Sequence, residues 1–137
     1  MQGLQTKTPA HLSFTEEEEE FGQAALRQIG IPEGAPFVCF FARDSGYNDL
    51  LFPSRGRGKE YDYRDCSIES YLPAIEELTR RGYFGLRMGA IVNESLQTKN
   101  PMILDYATKH RTDFLDIYLA SKCRFFLGDS AGFICVP

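Results

Sequence analysis

Residues 37–42 read FVCFFA, an apolar run in which no second position is polar. A strand with one wet face alternates apolar and polar side chains, because successive residues point to opposite sides. A strand without alternation is covered on both faces, as in the centre of a parallel sheet with helices on both sides. The run then ends abruptly in Arg43, Asp44, Ser45, Gly46 and Tyr47.

Two more apolar segments end in a similar way. YFGLRMG, 83–89, closes on Arg87, Met88 and Gly89. KCRFFLG, 122–128, is followed by Asp129, Ser130, Ala131 and Gly132. MILDYA, 102–107, reads as a short third strand or a turn.

Helices are expected between these strands. Phe21, Ala24, Ala25 and Ile29 recur at helical spacing. Ser13 or Thr15 is the expected cap, with Glu16 or Glu18 completing a capping box and Gly30 as the stop. Tyr71, Leu72, Ile75 and Leu78 form a second stripe, from about Ser67 or Ser70 to Arg81. Pro73 is accommodated there only in the first turn, and Gly82 ends the helix. Thr112 caps a third helix over 112–121, with Asp113 in its first turn. Strands and helices in alternation imply an α/β fold, a Rossmann-like open parallel sheet flanked by helices. Residues 1–12 read as an irregular segment and residues 13–137 as one domain.

In such sheets ligands sit outside the carboxyl ends of the strands. Arg43 and Arg87 are suited to hold phosphate oxygens in pairs. Ser130, Ala131 and Gly132 offer a hydroxyl and backbone N–H groups to an anion. Each residue also has a plainer reading. Arg43 can pair with Asp44 or another loop acid, Arg87 with Asp105, and Gly132 can serve a turn. Asp113 and Asp116 fit as partners of a helix dipole. Tyr47, Tyr61 and Tyr63 can stack on a base or sugar, or cover a core edge. Residues 43–66, including SRGRGKEYDYRD, form a long polar segment of the kind that is functional or disordered.

Composition excludes several classes. The formal charge of -4 argues against nonspecific wrapping of nucleic acid. Part of it is the run Glu16–Glu20, which suits a first helical turn. Neither GxGxxG nor GxxxxGK[ST] occurs, which argues against a nicotinamide dehydrogenase and a Walker-type NTPase. His11 and His110 give no Ser/His/Asp set. Cys39, Cys66, Cys123 and Cys135 contain no CxxC pair, so no metal site is expected. Cys39, Cys123 and Cys135 read as buried thiols of a reducing, cytoplasmic protein. No 18-residue apolar run predicts a transmembrane helix, and the first residues lack the apolar core of a signal peptide.

Three linked segments carry a resemblance: FVCFFARDSGY, YLPAIEELTRRGYFGLRMG and RTDFLDIYLASKCRFF. Together they resemble a family of bacterial glycosyltransferases of surface-carbohydrate biosynthesis, across about residues 12–134. That family is similar to fucosyltransferase-type enzymes with the two-lobed GT-B fold. The resemblance implies a truncated C-terminal, nucleotide-sugar-binding lobe. It implies diphosphate contacts from Arg43 and from Asp129, Ser130, Ala131 and Gly132, and it puts Arg87, Met88 and Gly89 near the nucleoside. Ser45 and Tyr47 belong to the same rim. The implied partners are a nucleotide-diphosphate sugar as donor and a carbohydrate acceptor, with no separate cofactor. Protein cations would then stabilise the leaving group, and Asp44 is the nearby candidate for a general base.

The chain departs from the family in two ways. The family's first motif reads His-Val-Arg-Asp, where this chain has Phe41, Ala42, Arg43 and Asp44. The chain also stops just after the third segment, where the family continues, and this leaves an uncovered edge open to association. Both departures favour a non-catalytic nucleotide-sugar-binding module as the alternative; a structural or interaction domain, in which the rim arginines pair with acids, is a further one.

Overall fold

A computed structural model describes residues 12–43, 45, 46, 50 and 65–129. Among the described residues, four strands form one sheet: β1 Phe37–Phe41, β2 Phe84–Arg87, β3 Ile103–Leu104 and β4 Phe126–Gly128. Their order is β3-β2-β1-β4, and every pairing is parallel. β1 is therefore central, as its unbroken apolar sequence requires. Cys39 lies opposite Leu86 on one side and Phe126 on the other.

The two faces of β1 bury different helices. Phe37 and Cys39 join Leu86 and Met88 beneath α1 (Glu16–Ile29) and α4 (Asp113–Lys122). Val38 and Phe40 pack instead with Ile75 of α2 (Leu72–Arg80), and with Leu96 and Ile103. The chain moves one way across the sheet from β1 to β3, then crosses back to β4. Connections of the same hand that run in opposite directions must lie on opposite faces. The α2 connection accordingly lies on one face and α4 on the other.

Local signals set the helix ends. The Thr15 hydroxyl accepts from the Glu18 N–H at 3.3 Å, and the Glu18 carboxylate accepts from the Thr15 N–H at 2.8 Å. This is the expected capping box. Gly30 closes α1 at φ 110°, where a side chain would strain the backbone. A 3-10 turn, Ile68–Tyr71, leads into α2, with Ser67 as its cap and Pro73 in the first turn of the α-helix. α3 is a single short turn, Tyr106–Lys109. Thr112 caps α4 by accepting from the Leu115 N–H at 3.2 Å.

Two expectations shift in detail. Phe21 is 54 % exposed rather than buried. The buried arc of α1 is Gly22, Ala25, Leu26 and Ile29, because the ring of Tyr118 fills the space above Gly22. Phe21 meets Phe114 edge-on beside that arc, at 5.5 Å. The 122–128 segment forms a strand only over its last three residues. Its start instead closes α4 at Cys123 and bonds to β1, through the Arg124 N–H to the Phe37 carbonyl at 2.8 Å. Among the described residues, no helix is long and apolar enough to cross a membrane.

Candidate functional site

β1 and β4 lie side by side where the strand order reverses, and in open sheets of this kind the carboxyl ends at that point frame the ligand crevice. Asp129, just past β4, organises this point. Its Oδ2 accepts from the Arg43 backbone N–H at 3.2 Å. Its Oδ1 accepts from the Tyr71 hydroxyl at 2.8 Å. One carboxylate thus joins the ends of β1 and β4 to the start of α2. Burial, reinforced by the bond to Asp129, pushes the Tyr71 phenol up to about 12, so Tyr71 is a fixed donor at neutral pH. The Arg43 carbonyl accepts from the Cys66 N–H at 2.9 Å.

The Arg43 guanidinium is held loosely. Its Nε lies 4.0 Å from Asp65 Oδ1, and both side chains are partly exposed. A pair of this kind contributes about 0–1 kcal/mol, so an incoming anion can displace Asp65 at little cost. Ser45 stands on the same rim, its hydroxyl accepting from Asn93 Nδ2 at 3.0 Å. A cleft of about 330 Å³ opens beside these groups. Ala42, Cys66, Ser67, Ile68, Arg87, Asn93 and Glu94 line it.

Arg87 has a different setting. Its side chain is 3 % exposed and that of Asp105 is 7 % exposed, with Arg87 Nη1 3.2 Å from Asp105 Oδ1. The same nitrogen donates to the Glu94 carbonyl at 2.8 Å. Asp105 Oδ2 accepts from the Leu96 N–H and the Thr108 hydroxyl, each at 2.8 Å. This is the structural pairing that the sequence offered as the plainer alternative. Arg87 anchors the 88–102 loop to β3 while forming part of the cleft wall.

Met88 is fully buried in the core under α1 and α4, and its N–H extends the sheet by donating to the Phe40 carbonyl at 2.8 Å. Gly89 sits at φ 153°, and a Cβ there would lie 2.6 Å from Val92 Cγ1. It lets the chain turn away from the sheet. Asp116 is a brace of α4, accepting from the Tyr106 hydroxyl at 2.8 Å and pairing with Arg111 at 3.0 Å. Asp44, Tyr47, Tyr61, Tyr63, Ser130, Ala131 and Gly132 lie outside the described residues.

The structure adds Tyr71 and Asn93 to the rim. Tyr71 was legible only as part of an apolar stripe, although a phenol at the end of such a stripe needs a partner for its hydroxyl. Nothing in the local sequence marks Asn93. Among the described residues, no three His, Cys, Asp or Glu side chains cluster closely enough to hold a metal ion. Compared with known proteins, the chain matches no family model, no curated protein and no solved structure.

Proposed function

We propose that this chain binds a nucleotide-diphosphate sugar at the β1/β4 crevice, as the donor-binding part of a glycosyltransferase of surface-polysaccharide synthesis. The observation that carries the reading is Arg43, a loosely paired cation at the carboxyl end of the central strand, where the strand order reverses. Arg43 would exchange Asp65 for the diphosphate, whose charge grows as the sugar departs. Asp129 and Tyr71 would hold the backbone of Arg43 in place. Residues 130–132 follow Asp129 directly in sequence and would add backbone donors. Asp44 is the residue of this chain proposed as the base for the acceptor hydroxyl.

One observation favours the alternative of a binding module without catalysis. Phe41, at the family's histidine position, packs with the apolar cluster beneath α1 and α4. It brings no proton-transfer group to the crevice.

A thermal-shift titration with GDP, UDP and their sugars, without added metal, tests the reading. A ligand at 100 times its Kd should add about 2.7 kcal/mol of stability. A shift with one diphosphate that Arg43→Ala abolishes is the expected result. No shift on folded protein overturns the proposal. A shift without sugar transfer to any carbohydrate acceptor selects the binding module.

A further inference from the structure

Cys39 and Cys123 lie far apart in sequence but meet at the last turn of α4. The Cys39 thiol donates to the Leu119 carbonyl at 3.8 Å. The Cys123 backbone N–H donates to that same carbonyl at 2.9 Å. The Cys123 thiol in turn reaches the Ala120 carbonyl at 3.1 Å. Cys123 packs against the apolar cluster that contains Cys39.

Their access to solvent differs sharply. Cys39 is 0 % exposed, in the middle of β1. Cys123 is half-buried and lines an open cavity of about 400 Å³, together with Phe37, Lys122 and Arg124. This cavity lies at the amino end of the sheet, where β1 begins, and is distinct from the β1/β4 crevice. A small solute can therefore reach Cys123 and not Cys39.

We propose that Cys123 is a peroxide-reactive thiol and that Cys39 is its resolving partner. The Cys123 thiolate attacks one oxygen of hydrogen peroxide, the O–O bond breaks, and a sulfenic acid and water form. The Cys39 sulfur then attacks the Cys123 sulfur, the S–O bond breaks, and a second water leaves. Two thiols are oxidised to one disulfide and one peroxide is reduced to two waters. The environment suits these roles. The neighbouring Cys39 lowers the Cys123 thiol below its ordinary value. Burial holds the Cys39 thiol well above its own, so Cys39 stays protonated and Cys123 is the first of the two to meet peroxide.

The test treats the full chain with one equivalent of hydrogen peroxide, then blocks free thiols and maps the peptides by mass spectrometry. The expected result is a Cys39–Cys123 cross-link with a loss of about two mass units, reversed by dithiothreitol. Cys39→Ala should leave a sulfenic acid on Cys123 that dimedone traps, and Cys123→Ser should give neither product. A variant carrying Cys66→Ser and Cys135→Ser should still form the cross-link. If Cys39→Ala does not fold, the peptide map of the unaltered chain decides. Oxidation falling on Cys66 or Cys135 instead overturns the proposal, as does survival of all four thiols in the folded chain.

Discussion

The Tyr71 hydroxyl donates to Asp129 Oδ1 across 2.8 Å and ties the start of α2 to the end of β4. Both groups also serve other parts of the fold. Tyr71 packs against the apolar cluster of Val38, Phe40 and Ile75, while Asp129 receives the Arg43 N–H. The bond therefore couples one face of the sheet to the rim of the crevice.

A first prediction concerns alkaline pH. Tyr71 and Tyr118 are each pushed up to about 12, chiefly by burial, and by hydrogen bonds to Asp129 and Glu19 respectively. In the unfolded chain a tyrosine titrates near about 10. The folded state thus keeps protons that the unfolded state has already released. The stabilisation is complete below about pH 10 and is lost as pH rises through about 12. Urea denaturation at a series of pH values should show this fall. Tyr71→Phe should make it shallower, and parallel curves for the two proteins would refute the assignment.

The buried pair of Arg87 and Asp105 gives the largest expected loss. Asp105→Ala leaves a buried guanidinium without its carboxylate and two donors, Leu96 N–H and Thr108 Oγ1, without their acceptor. The cost should be about 3–5 kcal/mol by urea denaturation. Replacing both partners, as Arg87→Met with Asp105→Leu, should recover much of it. A loss for Asp105→Ala within the range of a surface pair, about 0–1 kcal/mol, would show that Arg87 is not buried as described.

Gly128 sets the spacing of β1 and β4. A Cβ at this position would lie 2.7 Å from the Phe41 carbonyl oxygen, and a backbone atom cannot swing aside. Gly128→Ala should cost about 1–3 kcal/mol through forced strand separation. Because Arg43 and Asp129 follow Phe41 and Gly128 closely, it should also weaken the nucleotide-diphosphate binding proposed above. Calorimetric melting and the ligand titration read the two effects separately.

Gly22→Ala probes the opposite face. Its Cβ would fall against the ring of Tyr118, which is fully buried. Overpacking of about 1–3 kcal/mol should outweigh the gain in helix propensity of about 1 kcal/mol. The melting temperature is expected to drop, and an unchanged or raised value would mean that Tyr118 can shift within the core.

Thr15→Ala removes a cap from an exposed helix end. The bond from the Glu18 N–H is lost while the backbone N–H of residue 15 keeps its donor role, and the expected cost is about 1 kcal/mol. Thr15→Ser should retain most of it. Equal loss in both variants would assign the effect to the threonine methyl rather than to the capping oxygen.

Parts of the fold that depend on neighbouring residues were legible in the sequence. Thr15 with Glu18, Gly30 after α1, and Thr112 before α4 act within one helical turn of their own position. The centrality of β1 was legible because covering both faces leaves a mark on every residue of the strand. The rim was only half legible. Arg43 and Asp129 stand out as polar residues ending apolar runs. That Asp129 takes its donors from residues 43 and 71 depends on three elements meeting, and no local pattern encodes that. Arg87 supported two readings, a phosphate contact and an ion pair with Asp105. The choice between them rested on the pairing of β2 with β3, which brings Asp105 alongside.

The sheet order also constrains synthesis. β1 is made early, yet its partner on one side is β4, Phe126–Gly128. Until those residues leave the ribosome, one edge of the most apolar strand has no hydrogen-bonding neighbour. The nascent chain must therefore carry a sticky, unpaired edge from the emergence of β1 until that of Phe126. Chains arrested before Phe126 emerges should be captured by a holdase chaperone and cut readily by protease, and chains released a little later should resist both.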